Sequence, residues 1–419
     1  AASDVYKRQD IYIVNTCSVT NIADKKSRQM LHRARKMNPD GIVIAAGCYV
    51  QSAREILEQD EAIDIVISNN KKKSITEIVN DYINVRNNGK NAPGKDHEAM
   101  EYFVDISRET EYEEMGGHVP VGHTRAYVKI QDGCNQFCSY CIIPYVRGRI
   151  RSRSQEAILA EVSELAEAGI KEVVLTGIHI SSYGKDKNNG GALIELIEAI
   201  SKIKGIKRIR LGSLEPGIIT EEFVERISSN SKVCPHFHLS LQSGCDSVLK
   251  RMNRKYTCKQ YFEKCDMLRK AYKSPALTTD VIVGFPGETE EEFAETVRYL
   301  TELNLYEMHI FKYSPRKGTV AAAMKEQVAP EIKNERSDVL LKLAHDNKTA
   351  YEAQFEGCEL EVLVEEVVKK DNKTYLRGHT ERYMDILIDV GDISMPESFV
   401  NSFVYVTYTQ NGGNLPLLL

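Results

Sequence analysis

The sequence predicts an α/β protein in three parts: a parallel α/β domain, an open partial barrel of six βα units, and a small all-β barrel. Three observations carry this. Short β-branched runs alternate with helical stretches through most of the chain; the alternation becomes longer and more regular from Ala126; and after Gly357 it gives way to brief strands divided by turns. A chain of 419 residues is too long for one ordinary core and divides into two or three domains. The boundaries expected are 1–85 for the first domain, 86–124 for a linker, 125–356 for the partial barrel with a trailing helix, and 357–419 for the last.

Ile11 to Thr16 is apolar and β-branched, as a buried strand is, and Asn21 to Met37 reads as a polar-faced helix that stops before Pro39. A strand from Ile42 to Ala46, a short helix from Gln51 to Gln59, a strand from Ile63 to Ser68 and a helix from Ser74 to Ile83 continue the pattern. The chain opens Ala1-Ala2-Ser3-Asp4-Val5 without an initiator Met, so the first domain is expected to be truncated at its start, behind residues foreign to it. Residues from about Arg86 to Thr124 are rich in Asn, Gly, Glu and Lys, without a sustained period. Six strand-like segments follow: Tyr127 to Gln131, Glu172 to Thr176, Lys207 to Gly212, Phe237 to Gln242, Thr278 to Gly284 and Met308 to Tyr313. Each precedes a helical stretch. Six such units make an incomplete relative of the eight-unit barrel, whose reactive groups gather at the strand C-termini. A long helix from Glu331 to Phe355 leads into strands at Leu360 to Val368, Thr374 to Gly378, Met384 to Val390 and Phe403 to Thr409, a pattern that suggests a small oligonucleotide-binding barrel. Five basic against ten acidic residues from 357 onward leave that segment at −5, so phosphate contacts there are few and singly placed.

With 42% hydrophobic and 27% charged residues and no run of about 18 apolar residues, the chain reads as globular and without a membrane span. A net charge of −5 excludes a bulk electrostatic attraction to nucleic acid, so any RNA contact is local. Ten cysteines without a dense disulfide framework point to metal ligation in a reducing compartment, hence a cytoplasmic location.

Three of these cysteines, Cys134, Cys138 and Cys141, lie within eight residues as C-x3-C-x2-C, directly after the first barrel strand. Thiolates are the usual ligands of iron-sulfur clusters, and three of them hold three corners of a four-iron cube. The fourth iron is left open, able to chelate the amino and carboxylate groups of S-adenosylmethionine (SAM) and to pass an electron to its sulfonium. The competing reading is zinc, since Cys138 and Cys141 form a C-x2-C; zinc wants a second such pair or a His pair, and no second C-x2-C exists. Cys17 and Cys48 each follow a strand of the first domain, which suits either a metal pair or two buried thiols.

Other residues surround this motif. Tyr140 could lie along a bound adenine or merely shield the cluster from water. Thr176-Gly177 ends the second barrel strand, where a residue without a side chain lets an amino group approach backbone carbonyls, though Gly is also an ordinary turn residue. Gln242 with Ser243-Gly244 offers uncharged hydrogen-bonding groups to a ribose, or caps a helix. Gly284 opens Gly284-Phe285-Pro286-Gly287-Glu288-Thr289, with Thr289 a plausible N-cap. Arg147, Arg149, Arg151 and Arg153 alternate, so an extended backbone projects all four to one side as a phosphate-binding strip; a solvated charge run is the alternative. Cys258 and Cys265 share a helix face and are expected in the core, and Cys234, Cys245 and Cys358 have no partner at ligand spacing.

Asn15-Thr16-Cys17-Ser18-Val19-Thr20, Gly47-Cys48-Tyr49-Val50-Gln51, Gln131-Asp132-Gly133-Cys134 through Arg153, and His238-Leu239-Ser240-Leu241-Gln242-Ser243-Gly244 together resemble the methylthiotransferases of the radical SAM superfamily. Nearly the whole chain is covered, by four motifs in order. The resemblance implies an N-terminal α/β domain whose three cysteines hold an auxiliary [4Fe-4S] cluster, a radical SAM partial barrel with its own [4Fe-4S] cluster, and a C-terminal TRAM domain that binds RNA. Cys17 and Cys48 match the second and third auxiliary ligands; the first would lie upstream of Ile11. Gln131-Asp132-Gly133-Cys134 and Ile142-Ile143-Pro144-Tyr145 resemble most the branch acting on N6-threonylcarbamoyladenosine at position 37, beside the tRNA anticodon. Two SAM roles are then implied: one methylates a sulfur at the auxiliary cluster, and a second yields the radical that takes hydrogen from C2 of the adenine. The implied partners are the anticodon loop, an electron donor such as flavodoxin or ferredoxin, and a sulfur donor. The rival readings are the branch that modifies an aspartate of a ribosomal protein, and a non-catalytic metal-containing RNA-binding protein.

Overall fold

The computed structural model describes residues 9–87, 103–116, 123–371, 373–391, 395–409 and 412–414. The chain forms two compact units, one of Ala1–Gly116, Asp132–Arg151 and Ser314–Met324, the other of Gly117–Gln131, Ser152–Tyr313 and Lys325–Leu419.

The first unit begins β1 (Ile11–Thr16), α1 (Asn21–Met37), β2 (Ile42–Gly47), α2 (Cys48–Ser52), α3 (Arg54–Glu58), β3 (Ile65–Ile67) and α4 (Ile75–Asn87). The three strands form a parallel sheet in the order β1-β2-β3. Central β2 is buried throughout, which is why it reads as a continuous apolar run. By contrast, β1 lies at the sheet edge and leaves Ile13 54% exposed, so it is not the buried strand its composition suggested. Thr20 caps α1 by accepting from Ala23 N–H, and Arg35 and Lys36 sit in its last turn, where the helix dipole favours them. The helix expected from Gln51 to Gln59 is instead two short ones, broken at Ala53 (φ −140°, ψ 34°). The linker expected at 86–124 lies partly outside the described residues. Its described part, 103–116, has neither helix nor strand but packs on this unit: Ile106 is 2% exposed, Gln51 Nε2 donates to Val104 O at 3.2 Å, and the Arg54 guanidinium lies 4.4 Å from the Phe103 ring centre.

The chain continues through β4 (Arg125–Asp132), α5 (Ile143–Arg147), β5 (Arg151–Ser152), α6 (Gln155–Glu167), β6 (Glu172–Gly177), α7 (Ala192–Ser201), β7 (Arg208–Leu211), α8 (Glu221–Ser228), β8 (His236–His238), α9 (Asp246–Arg251), α10 (Cys258–Ala271), β9 (Ala276–Val283), α11 (Glu290–Leu303) and β10 (Glu307–Lys312). β5-β4-β6-β7 form one sheet and β10-β9-β8 another, with parallel bridges Ile209–Val233 and Leu214–Leu239 joining them edge to edge. The six long-range strands therefore follow chain order, all parallel, as a curled and open barrel wall. Period-2 alternation assigns their faces. Val128, Ile130, Val173, Leu175, Ile209, Leu211, Phe237, Leu239, Leu277 and Val281 pack toward the helices, and Arg125, Glu172, Arg208, Arg210, His236, His238 and Asp280 occupy the inner face.

The second unit ends with α12 (Pro330–Ala353) and a closed five-stranded barrel of β11 (Glu359–Lys370), β12 (Lys373–Thr380), β13 (Asp385–Asp389), β14 (Phe403–Thr409) and β15 (Gly412–Asn414), in the order β11-β12-β13-β15-β14. The short β15 was not anticipated: Gly412-Gly413-Asn414 carries no apolar alternation. Val362, Val364, Leu376, Ile386, Ile388 and Val406 fill this barrel and pack with Tyr306 and Phe355. Polar contacts reinforce the junction. Arg210 holds Glu172 (Nε–Oε1 2.8 Å) and donates to Glu381 O at 2.9 Å, while Arg208 donates to His379 O and Glu361 Oε2, each at 3.0 Å.

Candidate cluster and cofactor site

In the first unit the cysteine loop begins where β4 ends. Gly133 has φ +73°, and a Cβ on it would stand 1.8 Å from Arg149 O, so only glycine permits the close approach of the loop's two arms. Next to it, Cys134 N–H donates to Gly148 O at 3.0 Å and closes the base. Cys141 N–H donates to Cys138 O at 2.9 Å, forming the tight turn that a C-x2-C spacing needs, and Pro144 then starts α5 within its first turn. Cys134 is 9% exposed and accepts Gln136 N–H at 3.5 Å; Cys138 and Cys141 are half-buried. Phe137 holds φ +48° and meets Tyr145 edge-on at 5.8 Å. Tyr140 is half-buried in the same loop. Three thiols in one loop, with a backbone donor already aimed at a sulfur, are a donor set that fits an iron-sulfur cluster.

Cys17 and Cys48 belong to the same unit. Thr16 pairs with Gly47 across β1 and β2, so each cysteine is the residue that directly follows the last paired position of its strand. Cys17 is exposed, and its N–H donates to Ser27 Oγ at 3.3 Å. Cys48 is 6% exposed and packs with Ile142 and Val146, the residues that follow Cys141. The structure therefore brings the strand-end cysteine Cys48 against the helix of the cysteine loop.

The arginine strip does not form. Arg147 closes α5 and turns inward: its Nε donates to Cys48 Sγ at 3.0 Å and its Nη1 to Asp132 Oδ2 at 3.2 Å. Burial lowers the tendency of this guanidinium to hold its proton, but the neighbouring Cys48 and Asp132 more than offset that, and its pKa is raised. Arg151 is 1% exposed beside Asp132 and Arg153 is 7% exposed and paired with Glu161. Only Arg149 is exposed, its guanidinium 4.5 Å from the Phe137 ring centre. The extended conformation assumed for the strip is broken by α5 and by Gly148 at φ +71°.

Sequence reasoning missed a further part of this unit, Ser314–Met324. Arg316 is 6% exposed and donates to Ser18 Oγ (2.8 Å), Asn21 Oδ1 (2.6 Å) and Asp24 Oδ2 (2.6 Å), pinning the turn just after Cys17. Five residues on, Ala321 N–H donates to Ser139 O at 2.8 Å, inside the cysteine loop. A usable signal was present: Ser314-Pro315-Arg316-Lys317-Gly318 is a turn-forming loop at a barrel strand's C-terminus, where function concentrates.

In the second unit, Thr176-Gly177, Gln242 and Gly284 lie at or just past the C-termini of β6, β8 and β9. A Cβ on Gly177 would stand 2.9 Å from Gln131 O and 3.1 Å from its Oε1, which in turn accepts His179 N–H at 2.8 Å. Gln242 is buried at φ +78°, an uncommon conformation for a side-chain-bearing residue and one that clusters at functional sites. The regular strand β8 stops at His238 rather than Gln242, although Gln242 still bridges Val281 in parallel. Gly284 has φ +67° and its N–H donates to Glu288 Oε2 at 2.6 Å; the same oxygen accepts Arg336 Nη1 at 2.7 Å. Burial raises the Glu288 pKa despite both donors. The turn is thus anchored to α12, and Thr289 caps α11 in a reciprocal box with Glu292.

The Radical SAM superfamily model matches residues 128–300, and that of Uncharacterized protein family UPF0004 matches residues 2–68. The chain is 39% identical to the threonylcarbamoyladenosine tRNA methylthiotransferase MtaB of Bacillus subtilis (strain 168) over 92% of its own length and 83% of that protein's. It is 35% identical to the tRNA-2-methylthio-N(6)-dimethylallyladenosine synthase of Thermoanaerobacter pseudethanolicus over 96% of its length and 83% of that protein's. Among solved structures, the radical S-adenosylmethionine methyltransferase TsrM of Kitasatospora setae, with cobalamin and a [4Fe-4S] cluster bound, shares the fold at a TM-score of 0.55 and 15% identity, over 74% of this chain and 66% of that one.

Proposed function

The chain belongs to the radical SAM methylthiotransferases, and from this we propose that it adds a methylthio group to C2 of N6-threonylcarbamoyladenosine at position 37 of tRNA. The observation that carries the reading is the Cys134, Cys138, Cys141 loop closing at the end of β4 in one unit with Cys17 and Cys48. A [4Fe-4S] cluster with SAM on its open iron supplies one-electron chemistry able to break an aromatic C–H bond that no side-chain base can deprotonate near neutral pH.

The chain's residues divide the work. Cys134, Cys138 and Cys141 hold the cluster, and the Gln136 N–H on Cys134 stabilises thiolate charge. In the second unit, Gly177, Gln242 and Gly284 offer strand-end positions for SAM; in the first unit, Tyr140 offers a ring for its adenine. Cys17 and Cys48 supply two ligands of an auxiliary cluster; Arg147 neutralises Cys48 and links it to Asp132. Arg149, exposed at the loop's edge, contacts tRNA phosphate. An electron donor of the flavodoxin or ferredoxin kind, a sulfur donor, and a cytoplasmic setting complete the proposal; no helix among the described residues is long and apolar enough to cross a membrane.

The test is anaerobic turnover of the cluster-loaded protein with SAM and dithionite on tRNA carrying either threonylcarbamoyl- or dimethylallyladenosine. Nucleoside mass spectrometry should find the methylthio product from the former, with release of 5′-deoxyadenosine, and neither from Cys134→Ala. Product from the dimethylallyl tRNA alone would move the substrate to the second relative's, and no 5′-deoxyadenosine from a fully loaded sample would end the enzymatic reading.

A further inference from the structure

The inner face of the partial barrel carries a polar cluster that neither cysteine set uses. His238 ends β8, Asp280 is central in β9 and His309 is the third residue of β10; register pairs Asp280 with His309, and His238 with Thr278 two residues before Asp280. One ligand atom from each of the three lies within 4.8 Å of the other two. His238 Nε2 stands 3.4 Å from Asp280 Oδ2, yet among the described residues that buried nitrogen has no hydrogen-bond partner. Two ligands about 2.0–2.1 Å from a tetrahedral ion stand roughly 3.4 Å apart.

The other ring nitrogen also has an oxygen neighbour. His238 Nδ1 lies 3.0 Å from Thr278 Oγ1. With Thr278 Oγ1 accepting from Nδ1–H, Nε2 would present its lone pair outward, the orientation that metal-bound imidazoles adopt. His309 stacks on His238 with ring centres 5.7 Å apart and planes at 22°, and is exposed, so a modest side-chain rotation brings its nitrogen to the same centre.

We propose that His238, Asp280 and His309 form a binding site for a first-row divalent cation, with Thr278 orienting His238. Two imidazoles and one carboxylate are borderline ligands suited to zinc or ferrous iron rather than to calcium or magnesium. Three protein ligands leave a position open to the barrel interior for water or an oxygen of a bound molecule. The site is separate from the cysteine chemistry and stands whichever nucleoside the protein modifies.

Zinc is the probe. Cluster-loaded protein, its cysteines occupied by iron, is dialysed anaerobically against micromolar zinc, and both metals are counted by mass spectrometry. The expected result is one zinc per chain above the cluster iron. His309→Ala, on an exposed side chain, should weaken zinc binding at least 10-fold, Asp280→Asn should abolish it, and Thr278→Val should weaken it about 10-fold as outer-shell substitutions do, all with unchanged cluster iron. Zinc absent from the parent protein, or bound equally by His309→Ala and Asp280→Asn at unchanged iron, overturns the site.

Discussion

An alanine at position 133 would press its Cβ to 1.8 Å from the carbonyl oxygen of Arg149 and would also have to hold φ +73°, so the arms of the cysteine loop must part. Gly133→Ala is accordingly expected to lose most of the iron that the loop retains after anaerobic reconstitution, without a matching loss of secondary structure by circular dichroism. Gly217→Ala is the control, since a Cβ there meets nothing within 4 Å; equal iron in the two variants would show that the loop base does not matter. At this scale the cysteines were legible because C-x3-C-x2-C is a local pattern, complete in eight residues. Arg147 was not. Its partner Cys48 is 99 residues away, and no alternation rule could say that the residue ends a helix and turns to a thiol instead of to phosphate.

Helix α11 shows what an element gains from its first turn. Thr289 Oγ1 accepts Glu292 N–H at 3.3 Å and Glu292 Oε2 accepts Thr289 N–H at 3.0 Å, satisfying two donors the helix cannot. Arg251 bonds the same carboxylate and, against the opposing effect of partial burial, helps hold its pKa at about 2. Thr289→Ala should cost about 1 kcal/mol, read as a lowered thermal midpoint, whereas Thr289→Ser should be nearly neutral; equal midpoints for all three proteins would dismiss the cap. Thr289 as a candidate N-cap made this start readable, as apolar period made β2 and β9 readable. Element ends were harder: β8 stops at His238, short of the expected end at Gln242, and Ala53, at φ −140° and ψ 34°, divides one helical stretch into two.

At the scale of the whole chain, Asp132–Arg151 and Ser314–Met324 group with the first unit, a grouping that a pass from one end to the other cannot see. Within the second unit, sequence separated a partial barrel from a terminal β-barrel, and the structure shows charged groups fastening the two. Glu172 is 0% exposed and answers Arg210 at 2.8 Å and Arg208 at 3.8 Å. These arginines also reach into β11 and the β12 end, through Glu361, His379, Thr380 and Glu381. Tyr383 lies beneath Arg125 and Arg210, at 5.0 and 4.8 Å. Burial pushes the Glu172 pKa upward, but Arg210, Arg208 and Arg125 outweigh it and the net shift is downward. A carboxylate depressed in the folded state contributes stability that is present above its unfolded value of about 4.3 and disappears as pH falls through the lower folded value. Glu172→Gln leaves buried guanidinium charge without its counter-ion, a class of change that costs about 3–5 kcal/mol. The variant should therefore melt roughly 5–10 °C lower near neutral pH, with the terminal barrel and the partial barrel losing protection from hydrogen exchange together. Below about pH 4 its deficit against the parent should shrink, because Glu172 of the unfolded parent is then protonated and folding must give that proton up. A deficit independent of pH would mean that Glu172 acts through packing alone, and exchange confined to residues 357–409 would mean that the two barrels unfold separately.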